Sequence, residues 1–249
     1  MHLMPPLPTR CIRFKNTKIN LNLHYQRSKR AKYMFTLYYS CFNSEKELRE
    51  NKNNVKYIAL SHFRGKLENS ITSDGFSKSG DISVINISPY SGIDLSSEGR
   101  KLANNANNRI INGKYGKPFL ADGRFSFSVS HSGKYYVLAA CADNIGIDIQ
   151  LYNEPRNWQK IAERWFNERE NALIKAMPSF QQEEMFYEIW SRKEAYAKFT
   201  GKGISSLKDI PTVKNGELCD RFPSGQFLNM EKFLSPLFKD EKFKAKIYL

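Results

Sequence analysis

No apolar run in these 249 residues is long enough to cross a bilayer. The longest, Tyr135 to Ala142, falls far short of the roughly 20 residues that a spanning helix requires. Cysteine is sparse: Cys11, Cys41, Cys141 and Cys219 form no C-x-x-C pair and no zinc spacing with histidine, which leaves free thiols in a reducing, cytoplasmic compartment as the expectation. Acid is absent from residues 1–33, which carry Arg10, Arg13, Lys15, Lys18, Arg27, Lys29, Arg30 and Lys32. The chain as a whole has 39 basic and 25 acidic residues, a formal charge of +14; without the eight basic residues of the leader the charge is +6. Such a field attracts polyanions without choosing among them. No segment recurs at a fixed period, and no helix-turn-helix, zinc-finger or RNA-binding aromatic signature occurs, which argues against a nucleic-acid partner. With 41% hydrophobic residues and a mean hydropathy of −0.57, the sequence excludes a collagen, a disordered tail and a membrane protein.

Residues 1–33 are expected to lie outside the fold, as a disordered basic arm, a targeting sequence, or translated sequence ahead of a start at Met34. The last reading is favoured because Met34 to Tyr39 reads as a first β-strand. The positive stretch is not followed by the compact apolar core and small-residue cleavage site of a secretory signal. Beyond it, Val55, Ile58, Ala59 and Phe63 have helical spacing. Residues 70–99 read as loop with a short strand at Ile82 to Ile87, and Asn104 to Asn108 as a helix end or loop. Asn112-Gly113-Lys114-Tyr115-Gly116-Lys117-Pro118 is turn chemistry. Three strands follow, at Phe125 to Ser130, Tyr135 to Cys141 and Gly146 to Gln150. Trp158, Ile161, Ala162, Trp165 and Phe166 form a helical stripe. Asn167 with Glu170 three residues on is a capping-box pattern. A long helix is expected from about Gln181 to Phe199, closed by Gly201 and Gly203, and Phe243 to Leu249 reads as a last strand.

Three groups of residues could carry chemistry. In a strand, Asp148 and Gln150 project to one face while Ile147 and Ile149 face the other; two neighbouring oxygen donors make half a site for a hard cation. On the long helix, Trp190, Glu194 and Lys198 recur at i, i+4 and i+8, which is also the pattern of an ordinary surface Glu-to-Lys pair. Ser130-His131-Ser132-Gly133 ends a strand with two hydroxyls, an imidazole and a glycine, a setting able to take phosphate or to be a plain turn. Lys117 alone reads as a solvated turn lysine.

The order of these strings is more specific than any one of them. Tyr-Gly-Lys-Pro, then a strand ending in Ser-His-Ser, then Gly-Ile-Asp-Ile, then Trp-Ser-x-Lys-Glu-Ala-x-x-Lys and Gly-Lys-Gly-Ile resembles the 4′-phosphopantetheinyl transferases of the surfactin-synthetase-activating class, over about Tyr115 to Ile204. Arg164-Trp165-Phe166 followed by Glu170 is similar to the stretch between that family's last two motifs. The resemblance implies an α+β fold of two similar halves related by a pseudo-twofold axis, each a small antiparallel sheet packed on helices, here 34–144 and 145–249 with the boundary near Asp143 to Ile145. It implies attack by a serine hydroxyl of an apo acyl or peptidyl carrier protein on the β-phosphate of coenzyme A, with adenosine 3′,5′-bisphosphate leaving. By the same resemblance Asp148, Gln150 and Glu194 would hold Mg²⁺, Glu194 would also take the serine proton, and Lys198 would serve the leaving phosphate. Lys117, Ser130, His131 and Lys198 would contact coenzyme A. The enzyme would act as a monomer on an acidic helical partner, away from any membrane.

Two departures from the family pattern stand out. Gln150 replaces the usual glutamate of Gly-Ile-Asp-x-Glu, removing one negative charge. The Arg-rich helix that grips the 3′-phosphate in relatives has no clear counterpart in 43–110, where Lys56, Arg64 and Arg100 are the candidates. The alternatives are a catalytically silent carrier-binding relative and a basic nucleic-acid-binding protein.

Overall fold

The computed structural model describes residues 17–19, 35–72, 82–87, 94–152, 156–236, 238 and 241–249. The basic leader therefore lies outside the described residues except for Thr17–Ile19, a short strand (β1) paired antiparallel with Ile82 to Val84. The chain continues as β2 (Phe35–Cys41), α1 (Glu45–Thr72), β3 (Ile82–Asn86), α2 (Leu95–Ala103), β4 (Ile110–Asn112), β5 (Pro118–Leu120), β6 (Ser126–Ser132) and β7 (Tyr135–Cys141). Next come β8 (Gly146–Leu151), α3 (Trp158–Trp165), α4 (Glu168–Ala176) and α5 (Ser179–Thr200). The last elements are β9 (Val213–Lys214), β10 (Glu217–Leu218), β11 (Arg221–Phe222), β12 (Gly225–Asn229), α6 (Glu231–Leu234) and β13 (Phe243–Tyr248).

Two sheets organise this mixed fold of helices and small sheets. The first has the order β1-β3-β2-β7-β6, with β2 and β3 parallel and the other pairs antiparallel; the second has the order β11-β12-β13-β8. Side-chain alternation assigns their faces. Phe35, Leu37, Tyr39, Val137 and Ala139 of the first sheet meet Ile147, Ile149, Ala245 and Ile247 of the second in one buried cluster. The opposite face of the first sheet, with Tyr38, Leu138 and Ala140, packs on Val55, Ala59 and Phe63 of α1. That face explains why Tyr135–Cys141 is apolar at every position and buried throughout: β7 is covered on both sides. The opposite face of the second sheet lies under α5.

The sheets are also joined edge to edge. The amides of Ile147, Ile149 and Leu151 in β8 donate to the hydroxyls of Ser128, Ser130 and Ser132 in β6, at 3.0, 3.3 and 3.0 Å. An unpaired buried amide costs about 1–3 kcal/mol, so alternate serines of β6 satisfy an edge that no neighbouring carbonyls serve. The alternation of Phe125 to Ser132 is therefore a seam as well as a strand pattern.

α5 carries the helix that the sequence predicts, starting two residues earlier at Ser179. It ends where Gly201 adopts φ +69°, a left-handed conformation that glycine enters without steric penalty. The capping box at Asn167 and Glu170 forms in both directions. Within the stretch expected to be loop, α2 begins at Asp94, whose carboxylate accepts from the amides of Ser96 and Ser97, the usual satisfaction of orphan amides at a helix start.

Candidate functional site

β8 and α5 meet almost backbone to backbone. A β-carbon added at Gly146 would lie 2.0 Å from the Ala195 carbonyl oxygen and 2.5 Å from the Phe199 nitrogen. Only glycine lets the strand approach so closely, and the approach brings Asp148, two residues along β8, to the last turns of α5. There the Lys198 ammonium donates to Asp148 Oδ1 at 2.7 Å and to Ser130 Oγ at 3.0 Å. Ser130 Oγ in turn donates to Asp148 Oδ1 at 2.9 Å, and the Gln150 amide nitrogen donates to Asp148 Oδ2 at 3.0 Å. Asp148, Gln150, Ser130 and Lys198 thus form one hydrogen-bonded group, with the seam serine at its centre.

Glu194 stands beside this group, half-buried, and makes no hydrogen bond or ion pair among the described residues. Burial first, and the charge of Asp148 second, push its carboxyl up to about 7, with Lys198 opposing. Two carboxylates held close enough to disturb one another, one of them without a partner, form a place that favours a cation.

Mg²⁺ takes oxygen ligands and retains waters and substrate phosphates, so few protein donors suffice. The donor set here is the Asp148 and Glu194 carboxylates with the Gln150 side-chain oxygen, which makes no hydrogen bond among the described residues. Among those residues no group of three or more His, Cys, Asp or Glu is arranged to hold a metal. The residues fit a hard cation shared with a ligand, and do not fit a closed protein cage.

Glu194 and Lys198 open onto a cavity of about 290 Å³. Its other walls are Tyr115 to Pro118 of the β4–β5 hairpin, Phe127 to Val129 of β6, and Gly201, Gly203 and Ile204 beyond the end of α5. Four of the sequence strings thus surround one space: Tyr-Gly-Lys-Pro, the serine strand, the Trp-Ser helix and Gly-Lys-Gly-Ile.

The individual residues divide within it. Ser130 points inward, while His131 points to the other side of β6 and is exposed. Partial covering of its ring, then the charges of Lys52 and Lys198, lower its proton affinity, against Glu45 and Asp148. The charge of Lys52 on α1 thus reaches His131, and Lys56, one helical turn on, is in turn depressed by burial and by Lys52. Sequence reasoning missed Lys52, which is one helical turn from the candidate Lys56. Arg64 faces elsewhere: its guanidinium binds Asp122 at 2.6 Å and the Asn107 carbonyl, and lies over Phe125. Arg100 is exposed in the last turn of α2.

Lys117 is not a solvated lysine. It is 9% exposed, and its ammonium donates to Asn144 Oδ1 at 2.8 Å, to the Phe199 carbonyl at 3.0 Å and to the Ile145 carbonyl at 3.4 Å. Burial pulls its pKa down to about 8.

Behind the site lies charge that the sequence does not announce. Lys193 and Glu170 form a wholly buried pair at 2.8 Å. Across β13, Lys246 stands in register with Asp148 and Lys244 with Gln150. Lys246 binds Glu188 at 2.8 Å and Glu231 at 2.9 Å, and Lys244 binds Glu184 at 2.8 Å. The cross-strand lysines opposite Asp148 and Gln150 are in this way committed to other acids.

Comparison with known proteins converges on the same segment. Residues 144–247 match the family model of the 4′-phosphopantetheinyl transferase superfamily. The 4′-phosphopantetheinyl transferase HetI of Nostoc is 39% identical over 104 residues, 38% of this chain and 42% of that protein. The 4′-phosphopantetheinyl transferase Sfp of Bacillus subtilis is 37% identical over 107 residues, 43% of this chain and 47% of that protein. The 4′-phosphopantetheinyl transferase AcpT of Escherichia coli O157:H7 is 38% identical over 111 residues, 44% of this chain and 57% of that protein. The matched stretches thus span about half the length of these relatives. Among the described residues no helix is long and apolar enough to cross a membrane.

Proposed function

We propose, from the kinship of residues 144–247 with the 4′-phosphopantetheinyl transferase superfamily, that the protein transfers the 4′-phosphopantetheine group of coenzyme A to a serine of an apo carrier protein and releases adenosine 3′,5′-bisphosphate. The observation that carries this reading is the grouping of Asp148, Glu194 and Lys198, with Glu194 and Lys198 at the wall of one cavity and the buried Asp148 held against Lys198 behind them.

In this reading the two halves are related by a pseudo-twofold axis and the cavity receives coenzyme A. Asp148 and Glu194, with the oxygen of Gln150, would hold Mg²⁺, which when bound neutralises charge on the diphosphate. Phosphoryl transfer depends mainly on positioning and on electrostatic stabilisation, and the residues divide those tasks. Glu194, with a proton affinity near neutral, accepts the proton of the carrier serine as its oxygen bonds to the β-phosphorus. The bond from that phosphorus to the bridging oxygen breaks, and Lys198 neutralises or protonates the departing phosphate. Ser130 orients Asp148 and Lys198 together. Lys52 and Lys56 would supply positive charge for the 3′-phosphate, with His131 as a neutral hydrogen-bonding neighbour, and the hydrocarbon stem of Lys117 lines the wall. A small acidic carrier domain suits the basic charge of the chain, and we place the enzyme in the cytoplasm as a monomer.

Incubation with apo carrier protein, coenzyme A and Mg²⁺, followed by intact mass of the carrier, tests the proposal. The expected product is heavier by one phosphopantetheine group. Carriers of the fatty-acid, polyketide and peptide types that all stay unmodified would overturn it.

A further inference from the structure

The joint between the two halves is tied at one point by a side chain from the first. Lys117 belongs to the β4–β5 hairpin, which its own carbonyl closes by accepting from the Gly113 amide at 2.8 Å. Its side chain leaves the hairpin, passes the Gly201 turn and ends among three oxygens of the second half and the connection leading to it: Asn144 Oδ1, the Ile145 carbonyl and the Phe199 carbonyl. An ammonium has three protons, so none is left for a ligand. Asn144 reinforces the knot, donating from Nδ2 to the same Phe199 carbonyl and accepting from Ser126 Oγ at 3.1 Å.

The Phe199 carbonyl is one of the four at the end of α5 that no amide within the helix can serve. A buried cation at that terminus also complements the helix dipole. Phe199 follows Lys198 directly, and Glu194 lies one turn earlier. Any shift of this last turn moves the Lys198 ammonium and the Glu194 carboxylate relative to Asp148, which is held by the other strand.

We propose that Lys117 is a positioning residue: its ammonium pins the C-terminal turn of α5 to the Asn144–Ile145 joint and so fixes Lys198 and Glu194 over Asp148. It does this in place of a direct contact with the phosphates of the substrate. The inference rests on the transferase reading above and adds to it how the first half controls the chemistry of the second.

The two roles separate kinetically. Lys117→Met keeps the stem and removes the cation. As a pin, it lowers kcat about 10- to 100-fold, the scale of an ångström-sized misplacement, with KM for coenzyme A within about twofold of wild type. Lys117→Arg retains a strong phosphate ligand but does not fit the three-oxygen pocket, so kcat stays low. Asn144→Ala, which removes one acceptor of Lys117 and one donor to Phe199, lowers kcat in the same direction by less, and serves if Lys117→Met does not fold. Amide exchange at Gly201, whose N–H donates to the Ala197 carbonyl at 2.8 Å, accelerates in each variant. A rise in KM of tenfold or more with kcat unchanged, rescued by arginine, would make Lys117 a substrate contact and overturn the inference; so would unaltered kinetics, or unaltered exchange at Gly201. If wild type modifies no carrier, the transferase reading fails by itself, while exchange at Gly201 still decides whether the turn is pinned.

Discussion

Two lysine–carboxylate pairs lie five residues apart on α5 and differ by only 0.1 Å in length, yet they do opposite things. Lys193 meets Glu170 at 2.8 Å with both side chains 0% exposed; Lys198 meets Asp148 at 2.7 Å with 27% and 1% exposed. The first pair is closed. Lys193 spends its remaining protons on the Leu207 and Ile210 carbonyls, and Glu170 accepts from the Asn167 amide and from both the amide and hydroxyl of Thr212. The second pair is open: its lysine faces a cavity, and beside it stands Glu194, which has no hydrogen bond or ion pair among the described residues. Pair length says nothing about role. On the transferase reading, what separates the structural pair from the reactive one is whether its neighbours exhaust its hydrogen-bonding capacity.

The contrast can be broken at either end. Lys193→Met leaves a buried carboxylate without its cation and is expected to cost about 3–5 kcal/mol in denaturant unfolding, while turnover per folded molecule is retained. Loss of turnover at unchanged stability would erase the distinction. Around the open pair, Lys198→Ala and Glu194→Gln are expected to slow carrier modification about 10²- to 10³-fold; Glu194→Gln leaves Tm no lower, whereas Lys198→Ala, which takes the cation from the buried Asp148, lowers it by less than Lys193→Met does because Ser130 and Gln150 still donate to that carboxylate. Glu194→Gln should even raise Tm slightly, because it removes a carboxylate that is crowded by Asp148. A marked fall in Tm with both variants would put the open pair in the structural class.

A third set of charges sharpens the comparison through pH. Burial raises the proton affinity of Glu188, but Lys246, Arg192 and Lys244 outweigh it, and the net pKa falls below the usual carboxylate range. The unfolded chain, with an ordinary value of about 4.3, then binds more protons than the native state as pH drops below it. The stabilisation is complete above that value and is lost as pH falls through the folded one. Glu188→Gln should therefore lower stability at neutral pH and flatten its acid decline, as read by urea titrations between pH 3 and 7, conditions chosen to bracket the carboxylate range of about 3–5; an unchanged slope would count against it. The smallest effect is expected at Gln150→Glu, which adds a charge beside Asp148 and should reduce the Mg²⁺ needed for half-maximal activity a few-fold. An unchanged Mg²⁺ requirement would show that position 150 does not tune the cation.

Residues that act through contiguous strings were legible in the sequence. Gly146 to Gln150 could be placed on a strand face, and Trp190 to Lys198 on a helix stripe, because period alone assigns those faces. The glycine that ends α5 and the capping box of α4 are local chemistry and were equally readable. Roles that depend on a distant element were hidden. Lys193 is indistinguishable in sequence from a surface lysine, since its burial is decided by α4 and by Leu207 to Ile210. The alternate serines of β6 read as an ordinary polar face because their partners are amides of another sheet. α2 escaped notice because its helix is short, begins Leu-Ser-Ser and carries a glycine. Gly99 is there for packing: a β-carbon would lie 2.4 Å from Asn54 Cβ of α1. Lys52 came into view only when α1 was laid beside His131.

The close approach at Gly146 has a consequence for how such a protein can change over time. With the Ala195 carbonyl only 2.0 Å from the position of a would-be β-carbon, the gap between the two acid-bearing elements has no room for gradual adjustment: even one methyl group would wedge them apart. On the proposed function, variation in cation preference or in turnover must therefore arise from side chains that border the gap, such as position 150. The absence of a single carbon atom sets the gauge to which the two acid groups are built.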